Sequence, residues 1–228
     1  MDTSKDYRII VAEAALKDLE KIVRNRRLPF PIKRDYVLFL IRDALSKLMA
    51  VKYSFLPESM LVSSQTLSDF CEVVGKISEN LQSKGVEKPD YRYQYTLSEI
   101  RWILRTLTGL KERFKLEGNY VDYSVDVLGA KIMSVSHHDK LERLWVLKGS
   151  TVDESFIIVT NLPRIKRGEV RAIAVLPPRE FEGVISEAMI CSNTLPEGYI
   201  GKRPGRTMYN FKEVTNLVEE YLARHKML

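Results

Sequence analysis

Five short β-forming runs lie within residues 125–194, and they constrain the fold of this chain more than any other feature. We predict strands at Val127–Ser134, Arg143–Lys148, Ser155–Asn161, Val170–Leu176 and Ser186–Ser192. Several of these runs alternate apolar and polar residues and are rich in β-branched side chains, as half-buried strands require. Five strands in so short a span suit a small closed β-barrel of the OB type.

Within this region, four short pieces stand in a characteristic order. They are Leu128-Gly-Ala-Lys131-Ile, His137-His-Asp139-Lys140-Leu141, Ile157-Ile-Val159-Thr-Asn161, and Pro178-Arg179 leading to Gly183-Val-x-Ser186-x-x-Met189. In order and spacing they resemble the trans-acting tRNA-binding OB domain, which occurs in small bacterial tRNA-binding proteins and in methionyl-, tyrosyl- and phenylalanyl-tRNA synthetases. The resemblance implies an OB barrel with tRNA as its ligand.

The chain departs from this family where the family places basic residues around a turn. Its segment there runs from Val175 to Gly183 and carries Glu180 and Glu182 at two of the basic positions. Ala188 stands where the family has a glycine before its last methionine. These changes bear on the ligand more than on the fold, so the barrel prediction is less affected than the tRNA prediction.

The resemblance and the basic loops together give a set of candidate RNA-binding residues. Those at or near the motif positions are Lys131, Arg179, Ser186 and Met189, those at the connection between the third and fourth strands are Arg164, Lys166, Arg167 and Arg171, and those in a glycine-rich loop after the strands are Lys202, Arg203 and Arg206. Basic side chains would neutralise phosphates. The alternative for Ser186 and Met189 is an ordinary packing role within a strand.

Residues 1–118 have helical rather than strand periodicity, and we predict a helical domain of four helices there. Pro31 is placed in the first turn of the second helix, Ser63 and Ser64 are placed as caps of the third, and Thr96-Leu-Ser-Glu99 is interpreted as a capping box that opens the fourth. The basic run Lys21–Arg34 is interpreted chiefly as a solvated helix end, with nucleic-acid binding as the alternative.

The predicted OB domain covers residues 124–195, and residues 196–228 supply a basic loop and a C-terminal helix from about Phe211 to His225. The apolar face of that helix contains Val214, Leu217, Val218 and Leu222. Such a face must be buried. We expect it to pack against another element of the chain or against a second subunit in a homodimer.

Several function classes are disfavoured by the sequence. No apolar run approaches the length of a membrane span, and the first residues lack the pattern of a signal peptide, so a cytoplasmic location with no membrane contact is expected. Cys71 and Cys191 lack metal-site spacing. Adjacent strand residues such as His137 and His138 point to opposite faces, so we interpret the pair as part of a solvated turn and not as a metal site. We therefore expect no metal, no cofactor and no catalytic residue.

The sequence thus predicts an α+β protein with a helical N-terminal domain, a five-stranded OB-type barrel and a C-terminal helix. The favoured function is non-catalytic RNA binding, with tRNA or another structured RNA as the ligand and an aminoacyl-tRNA synthetase as a further partner. The net charge of +6 is compatible with an RNA ligand, although most of it lies in the helical half. The alternative is a protein-interaction or assembly module whose barrel no longer binds RNA, as Glu180 and Glu182 would favour.

Overall fold

The computed structural model of the chain describes residues 2–81 and 90–227 and, within them, every side chain except that of Arg92. The polypeptide separates into two compact units, Met1–Ser124 with Leu222–Leu228, and Val125–Tyr221. Helices come first, a five-stranded antiparallel sheet follows, and a helix lies near the end of the chain. The predicted α+β class is therefore confirmed. None of the helices in the described ranges has the length and apolar character needed to cross a membrane.

The first unit is helical. The helices in its described part are α1 (Tyr7–Arg24), α2 (Arg34–Lys52), α3 (Glu58–Val62), α4 (Gln65–Leu81), α5 (Tyr91–Thr108) and α6 (Leu110–Arg113). The four long helices are those predicted from the apolar periodicity, and their apolar faces form the core. As predicted, the Ser64 hydroxyl caps α4, accepting a bond from the Leu67 amide at 3.2 Å. Helix α3 is absent from the prediction because five residues are too few to show a helical period.

The start of α2 differs from the prediction. The helix begins at Arg34, so Pro31 lies before it and not in its first turn. The Arg34 guanidinium instead donates to the carbonyl oxygens of Val23 and Arg24 at the end of α1, at 3.4 and 3.0 Å. Cations at this end of a helix satisfy free carbonyl groups and oppose the helix dipole. For Arg34, this agrees with the interpretation of the basic run as a helix end.

The capping-box prediction for α5 is wrong. The helix begins at Tyr91, five residues earlier than Thr96, and Asp90 caps it by accepting a bond from the Tyr91 amide at 2.6 Å. Thr96 is buried inside the helix, and Glu99 forms an ion pair with Arg27. The spacing of Thr96 and Glu99 fits a capping box, but in the folded chain the Glu99 carboxylate pairs with Arg27 and does not cap the helix.

One arginine is completely buried in the first unit. The Arg8 side chain has no exposed surface, and all of its N–H donors have acceptors. It donates to both carboxylate oxygens of Asp6 at 3.0 and 2.7 Å and to Glu58 at 2.5 Å. Its other terminal nitrogen donates to the carbonyl oxygens of Arg113 and Leu116 at 3.1 and 2.9 Å. Arg8 therefore joins the start of α1 to α3 and to the end of α6.

The second unit contains the sheet. Its strands are β1 (Val127–His137), β2 (Trp145–Ser150), β3 (Ser155–Thr160), β4 (Val170–Phe181) and β5 (Val184–Leu195), in the order β3-β2-β1-β4-β5. All neighbours are antiparallel. Each predicted run corresponds to a strand, although β1, β4 and β5 are longer than predicted.

The extension of β4 includes two prolines. Pro177 and Pro178 lie inside the strand, at an irregularity in the β4–β5 register between Val175 and Arg179. Proline cannot donate to a strand ladder and is tolerated at such irregularities. The strand pair then ends in a tight turn at Glu182 and Gly183, whose φ angles are 41° and 101°. The segment that contains the prolines therefore continues β4 into a hairpin, although the sequence pattern predicts that the strand ends at Leu176.

The outer strands β3 and β5 are joined by side chains. The Ser186 hydroxyl accepts a bond from the Val159 amide at 3.0 Å, and a Glu187 carboxylate oxygen accepts one from the Ile157 amide at 3.2 Å. Both amides belong to β3 and both side chains to β5. The two edges of the sheet therefore lie side by side.

Helix α7 (Phe211–Arg224) confirms the predicted C-terminal helix. Val214, Val218 and Leu222 of its apolar face are almost fully buried, and Leu217 is partly buried. The predicted face is therefore covered by the chain itself, so a second subunit is not needed to bury it.

Replacing Val218 with alanine is expected to lower the free energy of unfolding by about 2 kcal/mol, because the shorter side chain buries less apolar surface and leaves a cavity. Lys212→Ala, at an exposed position on the same helix, is the matched control. Urea denaturation followed by circular dichroism would measure both. Equal midpoints for the two variants would mean that α7 does not contribute to the core.

Candidate nucleic-acid interface

The connection between β3 and β4 presents three of the predicted cations to solvent. Arg164, Lys166 and Arg167 are exposed, and no hydrogen bond or ion pair engages their side chains in the described part of the chain. The base of this loop is fixed to β1, because the Gly168 amide donates to the Ile132 carbonyl at 2.8 Å and the Ile132 amide donates to the Glu169 carbonyl at 2.8 Å. The loop therefore has a rigid base and three free cationic side chains.

A second segment reaches the same strand three residues earlier. The Gly129 amide donates to the Lys202 carbonyl at 2.9 Å, and the Gly201 amide donates to the Gly129 carbonyl at 2.9 Å. A Cβ atom at Gly129 would overlap the Tyr199 carbonyl oxygen and lie 2.7 Å from its carbonyl carbon, so only glycine permits this approach. The Lys202 side chain is exposed and has no partner among the described residues.

Both segments that carry the free cations are bonded to β1. Gly129 and Ile132 are separated by roughly 10 Å of extended strand. The segment that carries Lys202 and the loop that carries Arg164, Lys166 and Arg167 are therefore both anchored to this one strand. We call these four residues the free basic cluster.

The other five predicted cations already have intramolecular partners. Lys131 pairs with Glu197 at 2.9 Å, Arg171 with Glu169 at 2.7 Å, Arg179 with Glu220 at 2.6 Å, Arg203 donates to the Val125 carbonyl at 2.9 Å, and Arg206 lies 3.9 Å from the Phe211 ring centroid. The Lys131 and Arg179 side chains keep 40% and 44% of their surface exposed, so these two can still reach a ligand.

Ser186 and Met189 occupy different environments on β5. Ser186 is buried, and its hydroxyl donates to the Ala188 carbonyl at 3.0 Å while accepting the bond from β3. Met189 is partly exposed and lines a cleft of about 340 Å³ between β3, β4, β5 and α7. Asn161, Arg179 and Glu213 supply polar groups to the same cleft. With its apolar walls and polar groups, the cleft is suited to a small ring system.

The two adjacent histidines have separate roles. His137 is exposed, whereas His138 is buried, which corrects the expectation that both belong to a solvated turn. His138 Nδ1 accepts bonds from the amides of Lys140 and Leu141 at 3.1 and 3.2 Å. Its Nε2 then carries the proton and donates to the Phe181 carbonyl at 2.8 Å. His138 thereby fixes the loop between β1 and β2 to the β4–β5 turn.

The thiols do not offer a nucleophile in the described structure. Burial raises the pKa of the Cys191 thiol to about 12, and burial also raises the pKa of Cys71. A thiol with a raised pKa remains protonated and unreactive at neutral pH. Within residues 2–81 and 90–227, no group of three or more histidine, cysteine or acidic side chains is arranged to hold a metal ion.

Comparison with known families identifies the N-terminal half. A family model described as an alpha helical domain matches residues 1–117, which is half of the chain. The chain belongs to this family. The alpha helical domain corresponds to helices α1 to α6 of the first unit. From the sequence of these residues we predict helices but no family.

A relative of this chain is the phenylalanine–tRNA ligase beta subunit of Thermotoga maritima. The two sequences are 27% identical over an aligned length of 140, and the alignment covers 52% of this chain and 17% of that protein. The match therefore spans about a sixth of the length of that relative. Among solved structures, a MetRS related protein from Pyrococcus horikoshii is similar over 40% of this chain and all of its own length, at 21% identity and a TM-score of 0.34. That score is too low for the likeness to bear on the fold.

Proposed function

We propose that this protein binds RNA without catalysing a reaction, with tRNA as the favoured ligand, and that the second unit makes the contact. In this proposal the sheet closes between β3 and β5 into an OB-type barrel. The bonds from β3 amides to Ser186 and Glu187 support that closure. OB barrels commonly bind oligonucleotides through their loops and open strand faces.

The free basic cluster is the observation that carries the proposal. Arg164, Lys166, Arg167 and Lys202 are exposed, unpaired within the described chain, and anchored to β1 by backbone hydrogen bonds. Unpaired cations on a rigid base can neutralise phosphates without first breaking an internal ion pair. Lys131 lies between the two anchors on β1 and adds a fifth cation, since Glu197, its partner, is largely exposed.

The remaining predicted residues take secondary places in this proposal. Arg179 and Met189 would contact the ligand at the cleft, while Ser186 would act by holding β5 against β3. Arg171, Arg203 and Arg206 would support the loops that carry the free cations. Similarity to part of a phenylalanine–tRNA ligase beta subunit supports tRNA as the ligand and a synthetase as a further partner. A cytoplasmic location and a homodimer remain parts of the proposal.

A protein-docking function is the second candidate. Glu180 and Glu182 are exposed at the β4–β5 turn, where they would repel phosphates. A barrel whose turn has become acidic could instead bind a basic surface of a synthetase or of another RNA-processing assembly. This alternative predicts that the protein has no measurable affinity for RNA even at low salt.

Replacing Arg164, Lys166 and Arg167 together with alanine is expected to weaken binding to total tRNA. It should also flatten the dependence of log affinity on log salt by roughly 0.7 to 0.9 for each phosphate that the variant no longer neutralises. Fluorescence anisotropy at several salt concentrations would measure both quantities.

A control with the same loss of charge is the variant in which Lys5, Lys76 and Lys115 of the first unit are replaced by alanine, since each is an exposed surface lysine. It should keep the slope of the native protein. If the test variant behaved like this control, the phosphate-binding residues would lie elsewhere, and the basic run Lys21–Arg34 would be tested next.

A further inference from the structure

Two rings are stacked at the end of the sheet. His137, the last residue of β1, lies directly opposite Trp145, the first residue of β2. Their ring centroids are 3.6 Å apart and the ring planes are inclined by 34°. His137 is exposed and Trp145 is partly exposed. The pair therefore presents an aromatic surface to solvent, with the Trp145 indole packed against one face of the His137 imidazole.

Two neighbours of Trp145 line the cleft. Trp145 is opposite Thr160 of β3, and it follows Leu144 in the chain. Thr160 and Leu144 both line the cleft. The wall of the cleft therefore includes the residue before Trp145 on the chain and the residue opposite Trp145 on β3.

The loop that follows His137 is held in place. His138 fixes it through the amides of Lys140 and Leu141, and the His138 amide itself donates to the Leu144 carbonyl at 3.0 Å. A ring on a fixed loop and a strand end loses little conformational freedom when a ligand stacks on it. The His137 ring is therefore preorganised to receive a stacked ligand.

The charge around His137 favours binding of an uncharged ring over binding of a phosphate. The exposed cations of this loop, Lys140 and Arg143, are balanced by Asp139 and Glu142, which are also exposed. The phosphate-binding residues of the proposed function lie instead at the free basic cluster, whose anchor at Ile132 is roughly 16 Å away along β1. An RNA strand could span that distance, with phosphates at the free basic cluster and a base on the His137 ring.

We propose that His137, supported by Trp145, is a stacking platform for an unpaired base of the bound RNA. This inference rests on the proposed RNA-binding function and names the part of the ligand that the barrel end recognises. Every base has a π-face, so stacking tolerates any sequence but requires that the base be free of a duplex. The platform should therefore prefer single-stranded RNA to a duplex.

Fluorescence offers a direct test because the chain has two tryptophans. Trp102 is buried in the first unit, so the Trp102→Phe variant leaves Trp145 as the reporter. Single-stranded oligouridylate is expected to quench Trp145 emission, and a blunt RNA duplex is not. If Trp102→Phe fails to fold, affinities measured by anisotropy on the other variants decide the question alone.

The affinity test compares three variants of β1. His137→Ala is expected to weaken oligouridylate binding roughly 5- to 150-fold, which is the range for loss of one base–aromatic stack. His137→Phe keeps a ring and should restore most of the affinity. Ser134→Ala, at an exposed position of the same strand, is the control and should bind like the native protein.

The outcomes separate this inference from the function on which it rests. If the native protein binds tRNA and oligouridylate but His137→Ala binds both with native affinity, the platform is overturned while RNA binding stands. Equal quenching by duplex and single strand would also overturn it. If the folded native protein binds neither RNA, the proposed function and the platform fail together, and a protein partner would be sought for the aromatic pair.

Discussion

Replacing Arg8 with methionine is expected to lower the free energy of unfolding of the first unit by about 3 to 5 kcal/mol. The Arg8 guanidinium is fully buried and satisfies the equally buried Asp6 carboxylate through two hydrogen bonds. Methionine fills similar volume but leaves a desolvated carboxylate without its cation. Two carbonyl oxygens, those of Arg113 and Leu116, lose their donors as well. Urea denaturation followed by helical circular dichroism would measure the loss.

Two further variants separate charge from packing at this site. Lys5→Met, at a side chain that is 83% exposed, is the control and should unfold at the native midpoint. Adding Asp6→Asn to Arg8→Met should recover part of the loss, because the uncompensated charge is then removed. A single Arg8→Met variant as stable as Lys5→Met would contradict the importance of the buried ion pair.

Replacing Gly129 with alanine is expected to have the other large effect, on the second unit. The new Cβ atom would overlap the Tyr199 carbonyl group, and backbone atoms cannot swing aside as a flexible side chain would. The segment that carries Lys202 would leave β1, and both of its backbone bonds to Gly129 would break. Overpacking of this kind and the loss of two hydrogen bonds together cost about 3 kcal/mol.

A glycine in the same segment provides the control for this variant. Gly198 has open space where its Cβ would be, so Gly198→Ala should have native stability. Hydrogen exchange at the Gly129 amide would report the separation of the segment from β1 directly. If RNA binding depends on Lys202, Gly129→Ala should also lower tRNA affinity. Native exchange protection in Gly129→Ala would mean that the segment can move and still pair with β1.

The elements of the fold follow from local patterns in the sequence. Alternation and β-branched residues are sufficient to predict all five strands, and the helical period is sufficient for the long helices, because each pattern reports which side of an element is buried. Boundaries are less well predicted. The prolines of β4 indicate a strand end when only the sequence is considered, yet the irregular β4–β5 register accommodates both of them.

The candidate site shows a sharper division. The sequence identifies nine cations as candidate ligands, but it does not reveal which of them are free. Glu197 is 66 residues from Lys131 and Glu220 is 41 residues from Arg179, so these ion pairs exist only after folding. The stacked rings of His137 and Trp145 depend in the same way on the register between two strands.

The α+β class, the succession of helices and strands, and the motif positions that carry the resemblance can all be predicted from the sequence. These properties depend on the period of apolar residues and on turn chemistry, both of which act over a few neighbouring positions. Three features of the site became evident only in the folded chain: Ser186 of β5 is buried and bonded to β3, His138 fixes a loop, and the segments of Lys202 and of Arg164, Lys166 and Arg167 are both bonded to β1. Each of these depends on contacts between segments distant in the chain, and local periodicity carries no information about such contacts.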